Sequence, residues 1–224
     1  AMVAFHRSHA ASATIALTRV ADARPFGLVH TEGDGRVLEF REKPTEPVPG
    51  DVNAGTYVLD PAALVGWRSG EPRSIEREIF PGLIEGGRPV YGFASAAYWL
   101  DLGTPAQYLR AHADILDGRV STLPAAGAHR VDPSASVDPA ARLGRHAVVG
   151  PRAVVGPDAD VDGSVLLEGA SVGAGARVRG SILGPRSAVG EGAVVEECVL
   201  AEGASVAPGA TARGAGVAPG AVFG

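Results

Sequence analysis

The chain has 224 residues, with 20 Lys and Arg against 25 Asp and Glu, a formal net charge of −5. That balance excludes a nucleic acid or an anionic membrane held by bulk charge, and a hydrophobic share of 46% excludes a disordered chain. No apolar run approaches the roughly 18–20 residues of a membrane helix, no signal-peptide pattern opens the chain, and the single cysteine, Cys198, excludes an intrachain disulfide or a Cys-rich zinc site. A soluble cytoplasmic protein is expected. The opening Ala1-Met2 reads as a tag remnant before a cloned start.

In chain order, strands are predicted over Ala13–Thr18, Phe26–Thr31, Arg36–Glu42, Asn53–Leu59, Pro89–Ala94 and Tyr98–Asp101, with EGDG at 32–35 as a hairpin turn. Ser74 is placed to cap a helix over SIEREIFPGLIEGG (74–87), with Glu76 in its first turn and Pro81 expected to break or kink it. Thr104-Pro105-Ala106-Gln107 is a capping box with Pro at the first helical position. Tyr108, Leu109, His112, Ile115 and Leu116 then form one apolar stripe, and Gly118 ends the helix. Alternating strands and helices make residues 1–118 an α/β domain. Residues 119–130 (RVSTLPAAGAHR) have no clear period and read as a linker.

A different chemistry follows. After Tyr108 no aromatic residue occurs until Phe223, so the last part of the chain must be built without them. From Val131 hexads run VDPSAS, VDPAAR, LGRHAV, VGPRAV, and then the period becomes 17. VGPDAD-VDGSVL-LEGAS (155–171), VGAGAR-VRGSIL-GPRSA (172–188) and VGEGAV-VEECVL-AEGAS (189–205) align as 6+6+5, with the third side shortened. One aliphatic per six residues gives one inward side chain per short flat strand, and three such strands make a triangular coil. Residues 131–224 therefore read as a parallel β-helix of about five coils, a form suited to self-association into a homo-oligomer.

The order FGLV (26–29), FREKP (40–44), NAGTYVL (53–59), SIEREIFPGL (74–83), YWLDLGTPAQYL (98–109) and then hexapeptide repeats resembles the sugar-phosphate nucleotidyltransferases, most nearly the mannose-1-phosphate guanylyltransferases. No one motif is decisive; five in the right order are. The resemblance implies part of a Rossmann-like mixed sheet followed by a left-handed β-helix. It implies a reaction that joins a sugar 1-phosphate to the α-phosphorus of a nucleoside triphosphate and releases pyrophosphate, with Mg²⁺. Two anions must be brought together, so such a site needs cations and acts by positioning and electrostatics.

Carried onto this sequence, the resemblance makes Lys43 the cation for the sugar phosphate and Glu42 an acceptor for sugar hydroxyls. Asn53 can donate to and accept from a hydroxyl, and Gly27 and Gly55 would let backbone amides approach a ligand. Asp101, at a strand end between Leu100 and Leu102, becomes one of two metal-binding aspartates and, with Lys43, a catalytic residue. Trp99 is read as packing. Three features are set aside. Cys198 in VEECVL aligns with Ser181 in VRGSIL and Ser164 in VDGSVL and so fills a small-residue slot. His146 has no carboxylate near it in sequence. GAGARVRG (173–180) resembles a phosphate loop but is a product of the repeat.

The family's nucleotide-binding loop, GGxGTRLxPLT, is nowhere in the 224 residues, and about a hundred residues of the usual N-terminal half are missing by typical domain size. A misassigned start or a naturally shortened homologue would explain this. The expectation is an exposed apolar sheet edge or face, oligomerisation or poor order in response, and no nucleotidyl transfer by this chain alone. Base and sugar remain open among guanylyl, uridylyl, thymidylyl and adenylyl transfer. The alternatives are a non-catalytic assembly or regulatory homologue and, further off, a hexapeptide acyltransferase, for which a loop breaking the repeat is lacking.

Overall fold

In the computed structural model, residues 1–65, 70, 72–121, 123 and 127–224 are described. Contacts divide the chain into two units, Ala1–Trp99 and Leu100–Gly224.

The first unit is organised by five strands: β1 (Ala13–Val20), β2 (Gly27–Thr31), β3 (Val37–Glu42), β4 (Gly50–Leu59) and β5 (Val90–Ala94). They form one mixed sheet in the order β3-β2-β4-β1-β5. β1 runs antiparallel to β4 and parallel to β5, and β2 is antiparallel to β3 and β4. β1 lies between two neighbours and buries successive residues Ala13, Thr14 and Ile15, which is why its sequence is an unbroken apolar-and-Thr run rather than an alternation. A core of Ile15, Val29, Val37, Phe80, Leu83 and Val90 forms against the helix α2 (Phe80–Glu85). A short first helix, α1 (Met2–Ser8), sets Phe5 edge-on to Phe93 at 5.4 Å.

Two local readings are corrected. Tyr98–Asp101 is not a strand. Trp99 instead docks by its side chain, donating from Nε1 to Ala54 O at 3.0 Å and setting its ring against Phe26 at 5.3 Å. The helix capped by Ser74 begins as a π-helical turn, Ile75–Ile79, before α2. The Ser74 Oγ accepts from Arg77 N at 3.1 Å, as a cap should. The wide turn returns the Phe80 N–H to Ile75 O, and Pro81 then falls in the first turn of α2, where its missing N–H leaves no gap.

In the second unit, α3 (Pro105–Leu116) starts at Thr104, whose Oγ1 accepts from Gln107 N at 3.2 Å. It ends at Gly118 with φ 74°. Residues 122 and 124–126 of the expected linker lie outside the described residues, and Arg130 already pairs in the first strand of the repeat.

From Arg130 to Phe223, short strands stack in three parallel sheets of six, five and six strands, so the coils number between five and six rather than five. This is the expected parallel β-solenoid, consistent with a left-handed β-helix. Early coils advance by 18 residues (Ser136 beside Val154, Arg142 beside Asp160) and later ones by 17, from Val148 beside Val165 onward. The inward aliphatics are Val155, Val161, Leu166, Val172, Val178 and Leu183. The short side therefore runs from Val161 to Leu166, the second side, not the third. Its corner needs a left-handed residue, met by Gly163, Gly180, Glu197 and Gly214 at φ 54–58°.

Behind that corner a polar ladder replaces the missing residue. The Ser164 Oγ donates to Asp162 O and accepts from Ser181 N, and the Ser181 Oγ donates to Arg179 O and accepts from Cys198 N. Cys198 continues it, with Sγ 3.1 Å from Glu196 O and 3.4 Å from Ala215 N. The small-residue slot read for Cys198 is thus a hydrogen-bonding one.

The pairs Val165-Leu166, Ile182-Leu183 and Val199-Leu200 point one side chain inward and one outward. The outward Val165 is only 1% exposed, whereas Val154, outward on another side, is 47% exposed. Thr104 and Leu109 line, with Ile182 and Val199, a cavity of about 630 Å³; α3 stands over this side of the solenoid. No helix among the described residues is long and apolar enough to cross a membrane.

Candidate functional site

The β2–β3 pairing sets Gly27 directly opposite Glu42. A Cβ on Gly27 would lie 2.6 Å from Phe40 Cζ and 3.0 Å from Glu42 Oε2. The glycine is thus required by its neighbours, because the Phe40 ring and the Glu42 carboxylate occupy the space a side chain would need. Glu42 Oε2 is in turn a buried oxygen with no hydrogen-bond partner among the described residues. Burial, and then the nearby Glu76 charge, hold the Glu42 carboxyl above its ordinary range, with Lys43 and Arg77 opposing. A buried acceptor left unmatched costs free energy unless something outside the chain supplies a donor.

Lys43 follows at the end of β3. Its amide donates to Phe26 O at 3.0 Å, and its backbone takes φ 47°, a left-handed conformation that a side-chain-bearing residue adopts at a cost. The next residue, Pro44, is buried, while Lys43 itself is exposed. The turn thus projects an ammonium into solvent beside the orphaned carboxylate.

β4 supplies the third part. Its register with β1 slips between Ile15 and Leu17, forming a bulge over Ala54–Thr56. Gly55 sits in it at φ 76° with open space where a Cβ would be. Asn53, just before the bulge, is buried and clasps it: Oδ1 accepts from Gly55 N at 2.9 Å. Its Nδ2 donates to Tyr57 Oη at 2.8 Å and to Glu76 Oε1 at 2.9 Å. Burial, with the Glu76 and Glu42 charges adding, raises the Tyr57 hydroxyl above its usual range, and only the Asn53 hydrogen bond opposes this.

Gly27, Glu42, Lys43, Asn53 and Gly55 are therefore gathered where the start of β2 and the end of β3 meet the middle of β4. Sequence reading missed Tyr57 and Glu76. Glu76 was visible only as an acid in a helix first turn; the π-helical turn, which aims it at Asn53, has no sequence signature of its own. Elsewhere in the first unit, Leu17, Thr18, Ala54, Thr56, Phe93 and Trp99 are among the residues lining a cavity of about 240 Å³.

Asp101 belongs to the second unit. Its Oδ2 accepts from Gly103 N at 3.3 Å. Among the described residues no three His, Cys, Asp or Glu side chains stand together as a metal cage. A lone carboxylate fits Mg²⁺ only in the manner of phosphate-bound magnesium, where one or two carboxylates act with substrate phosphates and water.

The family model described as "Nucleotidyl transferase" matches residues 1–118, and that described as "GMPPB C-terminal domain" matches residues 125–222. Among curated proteins, a mannose-1-phosphate guanylyltransferase of Mycobacterium tuberculosis is 38% identical over 176 residues, covering 76% of this chain and 49% of that protein. A mannose-1-phosphate guanylyltransferase catalytic subunit beta of Danio rerio is 39% identical over 109 residues, 48% of this chain and 30% of that one. A probable mannose-1-phosphate guanylyltransferase 2 of Arabidopsis thaliana is 37% identical over 132 residues, 57% and 36% respectively. The chain thus spans about half the length of the mycobacterial relative and about a third of the other two.

Proposed function

Because this chain belongs to the nucleotidyl transferase family, we propose that it carries the sugar-phosphate side of a sugar-1-phosphate nucleotidyltransferase, with mannose 1-phosphate as the sugar substrate and GTP as the nucleotide. The observation that carries the reading is the junction of an exposed Lys43 with a buried oxygen of Glu42 that has no hydrogen-bond partner among the described residues. An ammonium suits the phosphate of a hexose 1-phosphate, and a carboxylate that needs a donor suits its hydroxyls.

In this scheme Lys43 neutralises and orients the sugar phosphate so that its oxygen can act as nucleophile. Glu42 accepts from the sugar ring, and Gly55, in the bulge, keeps the middle of β4 free of side-chain bulk at that point. Asp101 would hold Mg²⁺, which supplies charge neutralisation of nucleotide phosphates when bound. The solenoid serves association of copies, and the compartment is the cytoplasm.

The triphosphate loop signature is absent from these 224 residues, so the chain alone binds the sugar phosphate without turning it over. Two measurements test this. Calorimetry should show mannose 1-phosphate binding that Lys43→Ala weakens by about tenfold or more. A continuous pyrophosphate-release assay with GTP and mannose 1-phosphate should stay at background; clear turnover would show that the missing loop is dispensable, and absence of sugar-phosphate binding would remove the assignment of Lys43 and Glu42.

A further inference from the structure

Asn53 has little left to offer a ligand. Both hydrogens of its amide nitrogen are committed, one to Tyr57 Oη and one to Glu76 Oε1, and its oxygen already accepts from Gly55 N. The groups around it are less occupied. Glu76 uses one oxygen on Asn53, and its other oxygen has no protein partner among the described residues. Tyr57 accepts from Asn53, which leaves its own hydroxyl hydrogen to donate. Glu42 Oε2 is buried and unmatched among the described residues, and β3, which carries Glu42, packs against the π-helical turn that carries Glu76.

Two carboxylates brought near each other by the packing of β3 against the π-helical turn repel an anion and each other. A neutral polyol resolves both problems, because each hydroxyl donates to one carboxylate and accepts from a neighbouring donor such as the Tyr57 hydroxyl. We infer that Asn53 is a positioning residue, and that Glu76, oriented by it, supplies a second carboxylate beside Glu42 that reads the hydroxyls of a hexose 1-phosphate. This rests on the proposed function above and adds to it a specificity residue and a reassigned role for Asn53.

The test is calorimetry on the full chain with two probes, mannose 1-phosphate and inorganic phosphate, using wild type, Glu76→Gln, Glu76→Asp and Lys43→Ala. Glu76→Gln should weaken mannose 1-phosphate about tenfold and leave inorganic phosphate unchanged, since the loss is of a charged hydrogen bond to the ring. Lys43→Ala should weaken both probes. If Glu76→Gln binds the sugar phosphate as wild type does while Lys43→Ala loses it, the inference on Glu76 fails and the proposed function stands. If wild type binds neither probe, both fail. Equal losses for both probes in Glu76→Gln mark a structural role and also overturn the inference. Should Glu76→Gln melt well below wild type, Glu76→Asp, which keeps the charge and shortens its reach, decides by the same ratio of probes.

Discussion

His146 Nε2 lies 2.9 Å from Asp117 Oδ1, although 29 residues separate them in sequence. Arg145 Nη2 reaches the same oxygen at 2.9 Å. Asp117 is the residue on which α3 ends, and His146 turns a solenoid corner at φ 61°. The pair therefore clamps the helix end to the first coil. Reading along the sequence left His146 without a carboxylate; folding supplies one.

That clamp has a pH signature. The His146 hydrogen bond, then the Arg145 one, holds the Asp117 carboxyl down at about 2, below its ordinary 3.8. A carboxyl lowered on folding stabilises fully above its unfolded value, and the contribution is lost as pH falls through the folded one. Denaturant melts of wild type and Asp117→Asn should differ at pH 5 and converge as pH approaches 2. The gap should shrink in high salt, because the carboxylate is open to solvent. A gap that persists unchanged to pH 2 would mean that charge is not what the aspartate contributes.

Gly27→Ala tests the tight pairing with Glu42. The new methyl would meet Phe40 Cζ at 2.6 Å, so the ring or the strand must shift, at roughly 1–3 kcal/mol of stability. The same shift displaces Glu42, so mannose 1-phosphate binding should weaken more than inorganic phosphate binding. Chemical denaturation and calorimetry read the two effects separately.

Ser181→Ala breaks the internal ladder at its middle. Cys198 N–H would be left buried without an acceptor, a loss of about 1–3 kcal/mol. Cys198→Ser should be nearly neutral, since a hydroxyl can take over both sulfur contacts. Equilibrium unfolding of the two variants distinguishes a polar slot from a merely small one.

Val165→Ser and Val154→Ser form a matched pair. Both valines point outward from the coil, but only Val165 is covered. The first change should cost about 2 kcal/mol and the second within about 0.5 kcal/mol. Equal effects would mean that the burial of Val165 adds nothing to stability.

Legibility in the sequence followed the physics of each part. The solenoid was readable because every coil repeats the same inward aliphatic and small corner residue. The short side was misplaced because Leu166 and Leu167 are both apolar and only packing chooses Leu166. In the first unit the strands of the sheet were legible from their apolar runs, whereas Tyr98–Asp101 failed because a run that docks by an indole looks like one that docks by its backbone. Glu42 and Lys43 entered as candidates through a linear motif. Glu76 and Tyr57 were not, because their meeting at Asn53 depends on a bulge and a widened helical turn that no local pattern announces.

The serine and cysteine ladder also acts as a ruler. Each rung joins one coil to the next at a spacing of 17 residues, so only whole-coil changes in length reconnect it. Duplicating or excising a 17-residue stretch within 155–205 would re-form every rung, while an insertion of a single residue would set a hydroxyl opposite an aliphatic and sever the column. The tower can therefore grow or shrink in quantised steps, and its height is a property that recombination can alter without redesigning its interior.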